Sequence, residues 1–180
     1  NLRVPDIDMF DRLNAASGGK VRLVTIACEE PGALDFIRRA SKVCTVSLGH
    51  STADYDAALE AFRAGASHAT HLFNGMPPFL HRAPGIVGAA MDVSAELICD
   101  GLHIHPSVVR AAFKMFGSRL CLISDSLRSA KMADGEYELG GQRIVLRNGM
   151  ATLMDGTLAG SSISLLEGLR NAVSFGINLA

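Results

Sequence analysis

The sequence has 180 residues, 48% of them apolar, and sets 17 lysines and arginines against 18 aspartates and glutamates for a formal charge of -1. A chain of this size and apolar content can bury a substantial core, and without a basic surplus it is better suited to a small-molecule ligand than to nucleic acid. No apolar run approaches the roughly 20 residues of a membrane span and no signal-peptide pattern is present, so a cytoplasmic protein without membrane contact is expected.

In chain order, Pro5-Asp6 is a helix-start signal, and apolar Ile7, Met9, Phe10 and Leu13 lead to a break at Ser17-Gly18-Gly19. Residues 21–28 form a short β-branched run that becomes apolar on both faces, the pattern of a parallel strand covered from both sides. A helix over 33–40 and a strand over 43–48 follow, then the triplet Gly49-His50-Ser51. Residues 54–64 read as a helix with Ala58, Leu59 and Phe62 on its apolar side, stopped by Gly65. A third strand is expected over 68–73. It gives way to a proline- and glycine-rich loop over 74–85, long enough to serve as a lid or an interface arm.

Strand four is expected over 95–99, running into Asp100-Gly101-Leu102-His103, and Pro106-Ser107 open a helix that reaches Phe116. Strand five, over 120–124, ends at Asp125. Beyond it the rhythm changes. Arms over 143–147 and 150–154 flank Asn148-Gly149, a strong hairpin signal, so a β-ribbon inserted at about 137–155 is predicted. Small residues over 156–162 suit a turn that lets a ligand approach the backbone, and a last helix is expected over 164–175. The four cysteines, Cys28, Cys44, Cys99 and Cys121, sit singly in separate apolar runs, which fits buried thiols and neither a zinc knuckle nor a disulfide framework.

Strands alternating with helices describe βα units, which build an open doubly wound sheet or a closed barrel. No GxGxxG or GxxxxGK[ST] phosphate turn is present. Instead a titratable residue ends each strand: Glu29, His50, His71, His103 and Asp125. In a barrel such positions converge on one mouth, so the residues favour a (β/α)8 TIM-barrel fold. Over residues 1–180 it would be an incomplete barrel, with about five to six βα units plus the inserted hairpin.

His50 and His71 read as a metal pair. Neutral imidazole binds borderline cations such as Zn²⁺, the first choice here, or Fe²⁺, and a catalytic site needs about three protein ligands with one position left open. Asp125 is placed to move a proton between water and a leaving nitrogen, and His103 to orient a substrate group. Each has a plainer reading as well. A strand-end histidine can be a loop or capping residue, and an aspartate in Ser-Asp-Ser can cap a turn. Glu29 reads as solvated or structural, His68 and His105 as surface or packing residues, and Met76 and Met91 as core filler.

Six motifs carry a more specific signal: LGHSTADY over 48–55, THLFNGM over 70–76, HRAPGIVG over 81–88, CDGLHIHP over 99–106, ISDS over 123–126 and DGTLAGSS over 155–162. In this order and with these gaps they resemble the N-acetylglucosamine-6-phosphate deacetylases, a family of the amidohydrolase superfamily of metal-dependent barrels. The resemblance implies hydrolysis of the acetamide of N-acetylglucosamine 6-phosphate to glucosamine 6-phosphate and acetate. It places His50 and His71 on two metal ligands and Asp125 on the aspartate that acts as general base and then general acid. Asn74 and Gly75 fall on a substrate-binding pair, His103 on a histidine that contacts the sugar, and Leu158, Ala159 and Gly160 on a backbone segment lining the pocket. Arg82 falls on a loop arginine that engages the sugar phosphate, in some members from the other subunit of a homodimer, and its planar cationic fork suits that oxyanion.

The sequence departs from the family's pattern: the glutamate ligand of an LEGP-type motif, upstream of the first strand, has no counterpart, Glu29 does not replace it, and the family's first barrel strand and C-terminal segment have no counterpart either. The resemblance therefore implies an internal portion of the family's chain. Such a portion is expected to hold an incomplete metal site and to expose strand edges. Two other readings stand beside this one. A cyclic-amide amidohydrolase would use a carboxylated lysine, and no lysine ends a strand at a metal-site position. A non-catalytic remnant would bind sugar phosphate without turnover.

Overall fold

The computed structural model describes residues 3–178, and the chain divides into two compact units that meet inside one strand, between Glu96 and Leu97. The first unit opens with α1 (Ile7–Ala16), whose first turn is closed by the Asp6 carboxylate accepting from the Met9 N–H at 2.9 Å. Then come β1 (Leu23–Ile26), α2 (Ala33–Ala40), β2 (Thr45–Leu48), α3 (Tyr55–Ala64), β3 (His68–Ala69), α4 (Gly85–Ala89), a 3₁₀ turn (Ala90–Asp92) and the start of β4 (Ser94–Ile98). The strands are parallel, with Leu23 beside Thr45, Ser47 beside His68 and His68 beside Ser94. Each strand neighbours the one before it in the chain, without the reversal of order that marks a doubly wound sheet.

The main apolar cluster joins Phe36, Ile37 and Ala40 of α2, Val46 and Leu48 of β2, and Ala58 and Ala61 of α3. Those α2 positions share one stripe of a 3.6-residue helix, while Asp35, Arg38 and Arg39 remain on its polar side. Phe10 of α1 meets Phe36 edge-to-face, with ring centroids 5.7 Å apart.

Two expectations change here. The third strand is only two residues long, because His71 and Phe73 adopt φ of 29° and 74°, which no extended strand accommodates. Helix α4 falls where no helix was expected: its N-cap is Pro84, no side chain caps it, and so no polar start signal precedes it.

The second unit contains the end of β4, α5 (Pro106–Phe116), a 3₁₀ turn (Gly117–Arg119), β5 (Leu120–Ile123) beside β4, β6 (Gly135–Leu139), β7 (Gln142–Arg147), β8 (Met150–Leu153), β9 (Leu158–Gly160) and α6 (Leu165–Ser174). Strands β6 to β9 form an antiparallel sheet in chain order and bury Ile144, Leu146 and Ala151. Asn148 and Gly149 both have positive φ, 50° and 76°, as a two-residue hairpin turn between twisted strands requires. The expected two-stranded ribbon is thus the middle of a four-stranded sheet. Leu158–Gly160, expected in a turn of small residues, is its edge strand, paired through Ala151–Gly160 and Thr152–Leu158. Ser164 and Glu167 cap α6 reciprocally, each side chain receiving the other's backbone N–H.

Candidate functional site

Three of the residues singled out in the sequence share one local geometry. His50 lies two residues past the end of β2, His71 two past β3 and Asp125 two past β5. All three have left-handed backbone, with φ of 48°, 29° and 48°. A non-glycine residue is rarely found there, and such strain collects where a strand end must turn a side chain towards a site. Glu29 and His103 lie further past their strands and do not share the conformation.

In the first unit the two imidazoles converge. Nε2 of His71 lies 2.8 Å from Nε2 of His50, with the rings edge-to-face at 82° and their centroids 4.5 Å apart. Both ring nitrogens aim their polar positions at one spot, where a shared proton or a shared cation can sit. His71 is buried and His50 exposed, so the pair has a dry side and an open side. The His71 Nδ1 is buried without a hydrogen-bond partner among the described residues.

The pair is set by packing beneath it. A Cβ on Gly49 would come within 2.7 Å of the Thr70 Cβ, so the residue before His50 and the residue before His71 are in direct contact. Thr70 Oγ1 also contacts Ser47 Oγ at 2.6 Å and Thr25 Oγ1 at 3.0 Å, tying together residues of β1 and β2 and the turn after β3. Gly75 (φ 57°) lies against His50: a Cβ there would stand 3.1 Å from Nδ1, and the Gly75 carbonyl accepts from the Ser51 N–H at 3.0 Å.

Two carboxylates complete this support. Glu29 accepts from Ser51 Oγ and the Thr52 N–H, each at 2.5 Å, and from Thr52 Oγ1 at 2.9 Å. Partial burial works against its charge, but these donors outweigh it and hold its pKa below the ordinary glutamate value. Glu96 accepts from the His71 N–H at 3.4 Å, and its Oε1 lies 3.2 Å from His68 Nε2. His68 is accordingly a packed, buried residue.

In the second unit Asp125 is joined to the residue after β9: the Ser161 N–H donates to the Asp125 carbonyl at 3.0 Å, and Leu127 N–H to the Ser161 carbonyl at 2.9 Å. Gly160, at φ 146°, passes so close to Leu127 that a Cβ would meet its Cδ2 at 2.7 Å. Asp125 is thus held against the residue that follows the predicted Leu158–Gly160, and a Cβ on Gly160 would stand 3.4 Å from the Asp125 carbonyl oxygen. His103 is paired with Asp100 through Nδ1 and Oδ2 at 2.6 Å.

The remaining predicted residues stand apart from these. The Asn74 side-chain amide donates to the carbonyls of His71 and Leu72, each at 3.2 Å, and so closes its own turn. Arg82 is exposed, 2.8 Å from His81 Nε2, and lines a cleft of about 460 Å³ with Thr52, Asp54, Tyr55 and Pro77. Among the described residues no three histidine, cysteine, aspartate or glutamate side chains gather closely enough to hold a metal ion.

No family model matches the chain. It is 42% identical over 179 residues, 97% of its length, to the N-acetylglucosamine-6-phosphate deacetylase of Bacillus subtilis. It is 39% identical over 96% of its length to an N-acetylgalactosamine-6-phosphate deacetylase of Escherichia coli O157:H7. Among solved structures, the N-acetyl-D-glucosamine-6-phosphate deacetylase of Mycobacterium smegmatis, an Asp→Ala variant in complex with that sugar phosphate, superposes with a TM-score of 0.93 at 37% identity over 98% of this chain. By sequence and fold the chain is similar to part of the N-acetylglucosamine-6-phosphate deacetylases. It spans about half of their length: 45% of the Bacillus enzyme and 48% of the Mycobacterium chain.

Within this deacetylase frame the residues that sequence reasoning passed over are the supporting ones. Glu96 and Thr70 sit inside strand-like runs where nothing marks them as polar partners of a site, and Asp100 reads as an ordinary turn residue. A signal was available for Asp100: an aspartate two and three residues before backbone donors is the pattern of an Asx turn.

Proposed function

We propose that the protein hydrolyses the acetamide of N-acetylglucosamine 6-phosphate, releasing glucosamine 6-phosphate and acetate, and that it does so as a (β/α)8 barrel of which these residues form about five βα units. The observation that carries the reading is the 2.8 Å approach of His50 Nε2 to His71 Nε2 at two left-handed strand ends.

The donor set fits part of a metal site. Zinc takes imidazole nitrogen at about 2.0–2.1 Å, so two nitrogens this close can share one cation, while a third protein ligand is missing among the described residues. His50 and His71 would hold a divalent cation, Zn²⁺ before Fe²⁺, which when bound polarises water and the acetamide carbonyl. Asp125 takes a proton from the attacking water and returns it to the departing sugar nitrogen, so that one water and one amide become one acetate and one amine. Arg82 binds the phosphate, with a homodimer bringing it to the neighbouring subunit's substrate. His103, Gly75 and the backbone of Leu158–Gly160 hold the sugar, as does Asn74 once its amide leaves its own turn. A charged sugar phosphate does not cross membranes unaided, which supports a cytoplasmic reaction on a substrate formed there. Among the described residues no helix is long and apolar enough to cross a membrane.

The test is acetate release from N-acetylglucosamine 6-phosphate, its galacto epimer and unphosphorylated N-acetylglucosamine, with Zn²⁺ supplied. The complete protein should turn over the gluco 6-phosphate fastest, and the isolated 180-residue chain, with two of three ligands, should show little turnover. Asp125→Asn should lower kcat by about 10²–10⁴-fold, the range of a lost general acid–base. Arg82→Ala should erase the preference for the phosphorylated sugar. Cleavage of a cyclic amide in preference to all three sugars would overturn the proposal.

A further inference from the structure

Asp100 is placed to decide which nitrogen of His103 works. Its side chain is 1% exposed and that of His103 7%, so the pair is sealed from water. Oδ2 meets His103 Nδ1 at 2.6 Å, while Oδ1 accepts from the backbone N–H of Leu102 and of His103, both at 2.9 Å. Burial disfavours the charged carboxylate, yet the donors from His103 and the backbone prevail and keep its pKa below the ordinary aspartate value.

The turn that carries the pair is fixed from outside as well. Gly101 takes φ 78°, and a Cβ there would stand 3.2 Å from Phe175 Cζ. Asn171 of α6 donates to the Cys99 carbonyl at 2.9 Å, anchoring the chain just before Asp100. The carboxylate therefore cannot swing away from the ring without breaking the two Oδ1 bonds that close the turn.

From this geometry we infer that Asp100 is a positioning residue that locks His103 as the Nδ1–H tautomer and leaves Nε2 as the nitrogen that meets the acetamido sugar. An ionised carboxylate has only acceptors, so Nδ1 must carry its proton whether the ring is neutral or cationic. Any exchange of a lone pair for a proton is then confined to Nε2. The ring is held for one partner atom in one direction, as a buried aspartate holds the imidazole of a hydrolytic triad. The role of Nε2 towards the sugar rests on the proposed function; the tautomer itself does not.

Long-range ¹H–¹⁵N NMR of the side-chain imidazoles, with His103 assigned by its loss in His103→Gln, reads the tautomer directly. The wild-type chain should show a slowly exchanging Nδ1 proton on His103. Asp100→Asn keeps the Oδ1 acceptor but presents an N–H₂ donor to the ring, so His103 should move to the Nε2–H form. In the complete protein the same change should weaken binding of N-acetylglucosamine 6-phosphate by about 10–100-fold, the range known for removing the partner that orients a metal-bound histidine, and leave binding of inorganic phosphate unchanged. A wild-type ring in the Nε2–H form overturns the inference even if the variant does not fold, and so does an unchanged tautomer in Asp100→Asn. An Nδ1–H ring in a protein with no affinity for the sugar phosphate upholds the lock and counts against the proposed substrate.

Discussion

Alanine at position 49 gives a test in which the sign itself is at stake. Gly49 has no positive φ, so Gly→Ala would ordinarily stabilise by about 0.4–1 kcal/mol through the unfolded chain. Here the new Cβ meets Thr70 Cβ at 2.7 Å, Thr25 Cγ2 at 3.0 Å and Thr70 Oγ1 at 3.1 Å. Carbon atoms pack best at about 3.5–4.0 Å, and because Thr70 Cβ is fixed to its backbone, roughly 1 Å must be taken up by a shift of the main chain at position 49 or 70. Moving Thr70 away would break its contacts with Ser47 at 2.6 Å and Thr25 at 3.0 Å. Overpacking of this kind costs about 1–3 kcal/mol and each lost hydrogen bond about 0.5–1.5 kcal/mol, which exceeds the backbone gain. Gly49→Ala is therefore expected to be net destabilising by about 1–3 kcal/mol, lowering a urea midpoint by roughly 1 M at a slope of about 1–3 kcal/mol/M. The loss should shrink in a Thr70→Gly background, because the two sites share one contact. A midpoint that stays or rises would falsify the contact as a hard constraint, and with it the account of how the two histidines are aligned.

Further outcomes follow from neighbouring features. Gly75→Ala puts a left-handed residue 3.1 Å from His50 Nδ1, and at roughly 1–2 kcal/mol of backbone strain should weaken divalent-cation binding by about tenfold, read by equilibrium dialysis. Asp100 ionises more readily folded than unfolded, so its contribution to stability is complete above the unfolded aspartate range near about pH 4 and fades as pH falls through the lower folded value. Urea midpoints measured downwards from pH 6 should thus fall less steeply for Asp100→Asn; equal slopes would contradict the sealed pair. Burial pushes the Cys99 thiol to about 11, whereas Cys121 is exposed, so iodoacetamide at pH 8 should label Cys121 and spare Cys99 until the chain unfolds. Mass spectrometry showing Cys99 labelled first would refute that burial.

The sequence by itself determined the βα rhythm, because periodicity and caps are local. The stripe of Phe36, Ile37 and Ala40, the caps Asp6, Asp54 and Ser164, and Asn148-Gly149 each fix an element from a few neighbouring side chains. It also marked His50, His71 and Asp125, since a polar residue that closes an apolar run stands out in one dimension. Tertiary structure alone decided how those residues are aimed. The left-handed turns that cut β3 to two residues, the contact of Gly49 with Thr70, the Glu29 bracket on Ser51 and Thr52, and the strand identity of Leu158–Gly160 all join residues brought together only by folding. Pairings between residues far apart in sequence leave no periodic trace, because each depends on where two separate strands come to rest rather than on the composition of either.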